Sequence, residues 1–359
     1  MFKKTVGVLA CAALLIGAAG CSANSGGGGG GDTASDNKAK LAEIDESLEG
    51  NLYIQAAAES GQGSNTCPVT VGADDSVEIA FSIEGLSHPF LNAQVDAAKK
   101  AASEVNATIT VQSGDDDVTK QLAGLETALT QGPDGLLLMP ATTEGLQPIL
   151  QSYEDADIPY AFTGKGMTGV NPVVQFLAPY GEEGAKMGEY VVDHFGDSEK
   201  PVKVAVISGI TGDVSSVARV GMFEKALLEN GNFEIVAEQA GEYRRQPSQD
   251  AMDAILAANP DVQLVFGAND EAALGAIDAI KAAGLSDQVS VVGLDGQPEM
   301  YEAIKNGDAV ATVDHLPSAG EATKLLVSCL RGEEIPAFKV MVGDLVDLEA
   351  IEGGKTPAW

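Results

Sequence analysis

The sequence predicts an α/β protein of two doubly wound parallel-sheet lobes, and three observations carry that expectation. From Val77 onward, short runs rich in β-branched and aliphatic residues alternate with longer segments of helical period. The alternation pauses near Ala178 and then restarts. The run Gly135-Leu136-Leu137-Leu138-Met139 is unbroken rather than alternating, as a central strand covered by helices on both faces should be.

In order, the first series places strands at 77–82, 108–112, 135–140 and 159–163, with crossover helices at 90–105, 118–130 and 144–153. The second places helices at 182–195, 215–229, 248–258 and 271–283 between strands at 203–208, 234–239, 263–267 and 289–294. A tail from Val310 adds a strand and a helix at 318–330, so the chain crosses between lobes more than once. Glycines at 231, 284, 307 and 332 follow helical runs, where a left-handed residue closes a helix.

Ahead of this body, Lys3 and Lys4, an apolar run from Val6 to Ile16 and the small residues 17–20 have the layout of a secretory signal over residues 1–20. The apolar run is too short to span a membrane permanently. Ala18-Ala19-Gly20-Cys21 resembles a bacterial lipoprotein lipobox with Ala18 in the usual leucine position, which implies cleavage before Cys21 and lipid on its sulfur. An ordinary secretory signal cut nearby is the alternative. Residues 21–50, with six consecutive glycines at 26–31, read as a flexible tether.

Fifty-three Asp and Glu against 21 Lys and Arg give a formal charge of −32, which repels phosphate backbones and argues against a nucleic-acid partner. Aromatics at 5% and a single tryptophan exclude a ring-studded, lectin-like surface, so any sugar site must be small and enclosed. Cys67 and Cys329 remain once Cys11 leaves with the signal and Cys21 is lipidated; they either pair in an oxidising compartment or stay as two separate buried thiols. No HExxH, GxSxG or Walker pattern occurs, so neither a catalytic constellation, a metal site nor a cofactor is expected.

Ligands of open α/β sheets sit beyond the carboxyl ends of the strands. There the sequence carries Leu86-Ser87-His88-Pro89-Phe90, Thr163-Gly164-Lys165, Gly241-Glu242-Tyr243, the block 267–275 beginning Gly267-Ala268-Asn269-Asp270-Glu271, Gly293-Leu294-Asp295-Gly296 and Asp314-His315-Leu316-Pro317, with Arg219 in the first helix after the second lobe's first strand. Over roughly residues 75 to 345 the chain resembles the sugar-binding periplasmic proteins of bacterial ABC importers, the ribose-binding branch in particular. The Asn269-Asp270-Glu271 and Gly293-Leu294-Asp295-Gly296 blocks, after successive strands, carry that resemblance.

The resemblance implies two lobes joined by a three-segment hinge that close on a ligand: residues 75–177 plus 316–341 as the N-terminal lobe and 178–315 plus 342–359 as the C-terminal lobe. It implies that Phe90 stacks on a sugar ring, that Arg219, Asn269 and Asp295 bind hydroxyls, and that Tyr243 is a second aromatic. His88, Lys165 and His315 complete the candidate set. They replace the branch's asparagine, the arginine of an Asp-Arg pair and glutamine respectively, and Leu91 replaces a further aromatic. Loss of that pair's acidic residue at Gly164, with Lys165 and Arg219 kept, points to a more cationic pocket and leaves a sugar, a polyol or a sugar acid as the ligand.

The residue types suit the task by themselves, since a carboxylate accepts hydroxyl protons, a guanidinium donates a fork and an amide does both. Each has a plainer alternative: Phe90 as a core ring, Asp295 as a turn residue, Arg219 paired with surface acids, and Asp270 as a helix cap rather than a ligand contact. The functional expectation is a monomeric, non-enzymatic, lipid-anchored extracytoplasmic receptor that hands its ligand to the membrane subunits of an ABC permease. A sensory lipoprotein for the same ligand and a secreted α/β enzyme are the alternatives. Replacing Arg219 or Asp295 by alanine should then abolish binding with little change in melting temperature.

Overall fold

The computed structural model describes residues 33–49, 51, 63–67, 71–142, 144–230 and 232–359. The signal expected at 1–20, Cys21 and the glycine run lie outside the described residues.

The N-terminal lobe starts with β1 (Ser64–Asn65) and runs through β2 (Val77–Ile83), α2 (Pro89–Glu104), β3 (Ala107–Ser113), α3 (Val118–Gln131), β4 (Gly135–Met139), α4 (Gln147–Asp155), β5 (Tyr160–Gly164) and β6 (Val174–Leu177). The C-terminal lobe follows with α5 (Tyr180–Phe195), β7 (Val202–Ser208), α6 (Val214–Asn230), β8 (Phe233–Ala240), α7 (Arg245–Ala258), β9 (Leu264–Gly267), α8 (Asp270–Ala283), β10 (Ser290–Val292), α9 (Pro298–Lys305) and β11 (Ala311–Val313). The chain then returns through α10 (Ala319–Leu330), β12 (Ile335–Pro336) and β13 (Phe338–Val340) and ends on β14 (Leu345–Asp347) and α11 (Leu348–Glu352).

Each lobe holds a six-stranded sheet, in the order β13-β6-β5-β4-β2-β3 and β14-β11-β10-β9-β7-β8. All neighbours are parallel except β14, which runs antiparallel to β11. The chain passes between the sheets three times, at 178–179, 314–318 and 341–344. Side-chain alternation explains the doubly covered sheets. Along β4, Leu136 and Leu138 join the core under α3 and α4 while Leu137 and Met139 join the core under α2 and α10. Along β7, Val204 and Val206 face one core and Ala205 and Ile207 the other.

The main elements follow the sequence pattern, with Gly284 at φ +69° closing α8. The short strands β6, β13 and β14 and the helix α9 were not anticipated, because three to eight residues carry too little periodicity to stand out.

One expectation is corrected. Residues 21–50 do not all belong to a flexible tether, for Thr33–Glu49 forms a helix, α1. Leu41, Ile44 and Leu48 recur at helical spacing and pack on Met222 and Leu228 of α6 and Ile235 of β8. Lys40 bonds Glu224 at 2.9 Å and Lys225 bonds Asp45 at 2.5 Å. Glycine-rich composition upstream masked this stripe.

Cys67 is bonded to Cys329, with Cα atoms 5.2 Å apart, and β1 pairs antiparallel with β12 beside them. Among the described residues no helix is long and apolar enough to cross a membrane, and no cluster of three or more His, Cys, Asp or Glu could hold a metal ion.

Candidate ligand cavity between the lobes

A cavity of about 470 Å³ opens between the carboxyl ends of the two sheets, and all eight residues singled out from the sequence line it. His88 caps the start of α2, its Nδ1 accepting from the Phe90 N–H at 3.2 Å, and Pro89 begins the helix with its backbone preset. This turn carries Phe90 to the ring of His315, 4.2 Å away between centroids. His315 in turn stacks on Tyr180 at 5.4 Å and 16°, and the Arg219 guanidinium lies 5.2 Å from the Tyr180 ring centre.

Arg219 is placed by close contact of α5 with α6. A Cβ at Gly184 would lie 2.1 Å from the Arg219 carbonyl oxygen, so only glycine lets the helices approach this far. The adjacent Glu183, 0% exposed, then takes the Arg219 Nε and Nη2 hydrogens on Oε2 at 3.1 and 2.9 Å, and pairs with His315 Nδ1 through Oε1 at 2.6 Å. Burial pushes the Glu183 carboxyl up, but His315 and Arg219 outweigh it and hold it below the ordinary glutamate value. Arg219 further donates to Asp295 Oδ1 at 2.9 Å and to the Ala268 carbonyl at 3.1 Å, so its fork is committed in three directions.

Asp295 sits at φ +127°, a conformation uncommon for any residue with a side chain. It is held there by its N–H on Val313 and by His315 N–H on its carbonyl, which extend the strand ends into the site. Asn269 caps α8 through Oδ1, accepting from Ala272 at 2.8 Å. That fixes its amide nitrogen toward His88 Nε2, 2.8 Å away in the other lobe. Tyr243 follows Glu242 with both at positive φ, +59° and +56°, so its ring folds flat over Gly209. Its hydroxyl meets Ser215 Oγ at 2.9 Å.

Lys165 lies between Glu84 at 2.8 Å and Asp213 at 3.0 Å. Burial alone would lower its pKa, yet these two carboxylates raise it well above the ordinary lysine value. The expected cationic pocket is therefore corrected. Lys165 is matched by Glu84 and Asp213, and Arg219 by Glu183 and Asp295, so the charge of these two cations is already balanced by protein carboxylates. Asp270 is neither cap nor lining residue; it is buried, taking the Gln297 N–H and the Thr312 hydroxyl.

The sequence reading missed Glu84, Tyr180, Glu183 and Asp213. Asp213 follows β7 at a strand end and could have been found by the rule that located the others. Glu183 could not, since an acid in the first turn of a helix is ordinarily a solvated partner of the helix dipole.

Residues 79–334 match the model of the family described as periplasmic binding protein domain. The chain is 30% identical over 262 residues to the ribose import binding protein RbsB of Salmonella typhimurium, covering 72% of this chain and 86% of that one. It is similar to the structure of an ABC transporter periplasmic solute-binding protein of Actinobacillus succinogenes with bound D-allose, with TM-score 0.73, 25% identity, and coverage of 77% and 99%. It is also similar to that of an ABC transporter solute-binding protein of Bacillus halodurans with bound myo-inositol, with TM-score 0.72, 25% identity, and coverage of 79% and 97%.

Proposed function

Because the chain belongs to the periplasmic binding protein family, we propose that it is an extracytoplasmic receptor that binds a neutral, polyhydroxylated ring between its lobes and delivers it to an ABC permease. The observation that carries this reading is convergence. Side chains from both lobes, separated by as many as 211 residues from Glu84 to Asp295, meet on one cavity.

The chemistry of the wall supports a neutral ligand. Phe90 offers an apolar face to a ring, while Arg219, Asn269 and Asp295 offer donors and acceptors for hydroxyls. A sugar acid would bring a further negative charge beside Glu84, Asp213 and Asp295, where Lys165 and Arg219 are already paired; the other lining cations, Arg244 and Arg245, face Glu242, Glu271 and Glu299. D-Allose and myo-inositol, bound by the two similar proteins, are rings of the proposed kind. A lipid on Cys21 would hold the receptor at the membrane, and the bound, closed form would be what the permease reads. A ligand shifts the lobes toward the closed form only by the contacts it makes with both of them there.

A thermal-shift screen across pentoses, hexoses, cyclitols, sugar acids and amino acids tests the reading. A bound ligand at a hundred times its Kd stabilises the folded chain by about 2.7 kcal/mol. Stabilisation by a neutral sugar or cyclitol is expected; stabilisation by a sugar acid or amino acid alone would overturn the neutral-ring assignment.

A further inference from the structure

Trp359 was given no role by the sequence, and the segment carrying it was expected to belong to the C-terminal lobe. In the structure it leaves that lobe. After α11 the chain runs along the hinge: Lys355 Nζ lies 3.0 Å from Asp314 and 2.6 Å from Asp344, which belong to two different crossing segments, and the Thr356 carbonyl accepts from the Tyr301 hydroxyl at 3.3 Å. Trp359 then packs against the core of the N-terminal lobe.

Its contacts there are specific. The indole Nε1–H donates to the backbone carbonyl of His315 at 3.0 Å, and the indole ring meets Phe90 edge-on at 5.7 Å and 66°. Phe90 and His315 both line the cavity, whereas Trp359 does not. From outside the cavity the indole thus touches the Phe90 ring, carried on α2 of the N-terminal lobe, and the backbone of His315, on a crossing segment. An edge-to-face ring contact orients its partner as well as burying it.

We propose that Trp359 is a positioning residue of the ligand cavity: it sets the Phe90 ring against His315 and couples that placement to the hinge. This rests on the reading of the cavity as a ligand site, and the test below separates the two. Lys355 anchors the segment on the two crossings, so the position of the indole follows the hinge angle. Trp359 is also the sole tryptophan of the chain, so its fluorescence reports this one place.

The contact itself is tested without any ligand. In Phe90→Ala the tryptophan emission should shift to the red and its acrylamide quenching should at least double; emission and quenching equal to wild type would overturn the proposal. The role is tested with D-allose, D-ribose and myo-inositol as probes by calorimetry. Trp359→Ala should weaken whichever probe the wild type binds at least tenfold, and Trp359→Phe, which keeps a ring but not the indole N–H, should recover most of that loss. A purely structural residue would lower Tm and leave the Kd of the folded fraction unchanged, and that result in both variants would overturn the proposal. A wild type that binds none of the probes would count against the cavity reading instead, with the fluorescence comparison still deciding whether Trp359 sets Phe90.

Discussion

Lys165 Nζ and Asp213 Oδ2 lie 3.0 Å apart across the cleft, one in each lobe, with Glu84 at 2.8 Å on the lysine's other side. A second direct link, from Asn269 to His88, joins the lobes on the same cavity. Lobe-to-lobe contacts are therefore made by side chains that also line the cavity, so a change in one alters the other.

Lys165→Met should show this. Removing the cation leaves Glu84 and Asp213 facing each other, so affinity should fall at least tenfold, about 1.4 kcal/mol, and the radius of gyration from small-angle scattering should rise. Adding Glu84→Gln and Asp213→Asn to Lys165→Met should recover compactness. An unchanged radius in the single variant would remove the latch.

Arg219 and Asp295 should part company. Alanine at either position was expected to spare stability, but Arg219 is buried on Glu183, and its loss leaves a buried carboxylate without its guanidinium. Breaking such a pair from one side costs about 3 to 5 kcal/mol. Arg219→Met should thus lower both Tm and affinity, whereas Asp295→Asn, which keeps a hydrogen-bonding side chain, should lose affinity with a much smaller change in Tm. Equal Tm losses would count against this division.

Acid should open the cleft through His88. Burial lowers its pKa below the ordinary 6.5, against the raising effect of Asp295 and Glu271, with Arg219 and His315 adding to the lowering. Its two ring nitrogens face the Phe90 N–H and the Asn269 amide nitrogen; the neutral imidazole can accept at one of them, whereas the imidazolium can accept at neither. A depressed folded-state value means that the stabilisation is complete above 6.5 and is lost as pH falls through the lowered value. Affinity measured from pH 7.5 to 5 should decline, and His88→Gln should flatten the decline. An identical profile in the variant would assign it elsewhere.

Gly209→Ala should displace Tyr243, since the new Cβ would lie 2.1 Å from the ring's Cζ. The expected result is weaker ligand binding in a protein that still folds, read by calorimetry together with circular dichroism. Full affinity would show that the Tyr243 ring does not need its place over Gly209.

Reduction of the Cys67–Cys329 bridge should lower Tm, because a link spanning 262 residues restricts the unfolded chain by an amount of about 5 kcal/mol at most. Thiol counting on the unfolded, unreduced protein should find neither cysteine reactive.

The order of the longer strands and helices, the doubly covered sheets and the strand ends that bear His88, Lys165, Asn269 and Asp295 were written in local pattern, because a period of two or 3.6 and a polar residue after an apolar run are properties of neighbours in sequence. Charge balance was not. Lys165 and Arg219 read as a cationic pair until folding brought Glu84, Asp213 and Glu183 to them from 81, 48 and 36 residues away. The same holds for α1, whose apolar stripe had meaning only once α6 was there to receive it, and for Trp359 beneath Phe90. Coulombic and packing energies depend on distance in space, and for these residues distance along the chain carried no information about it.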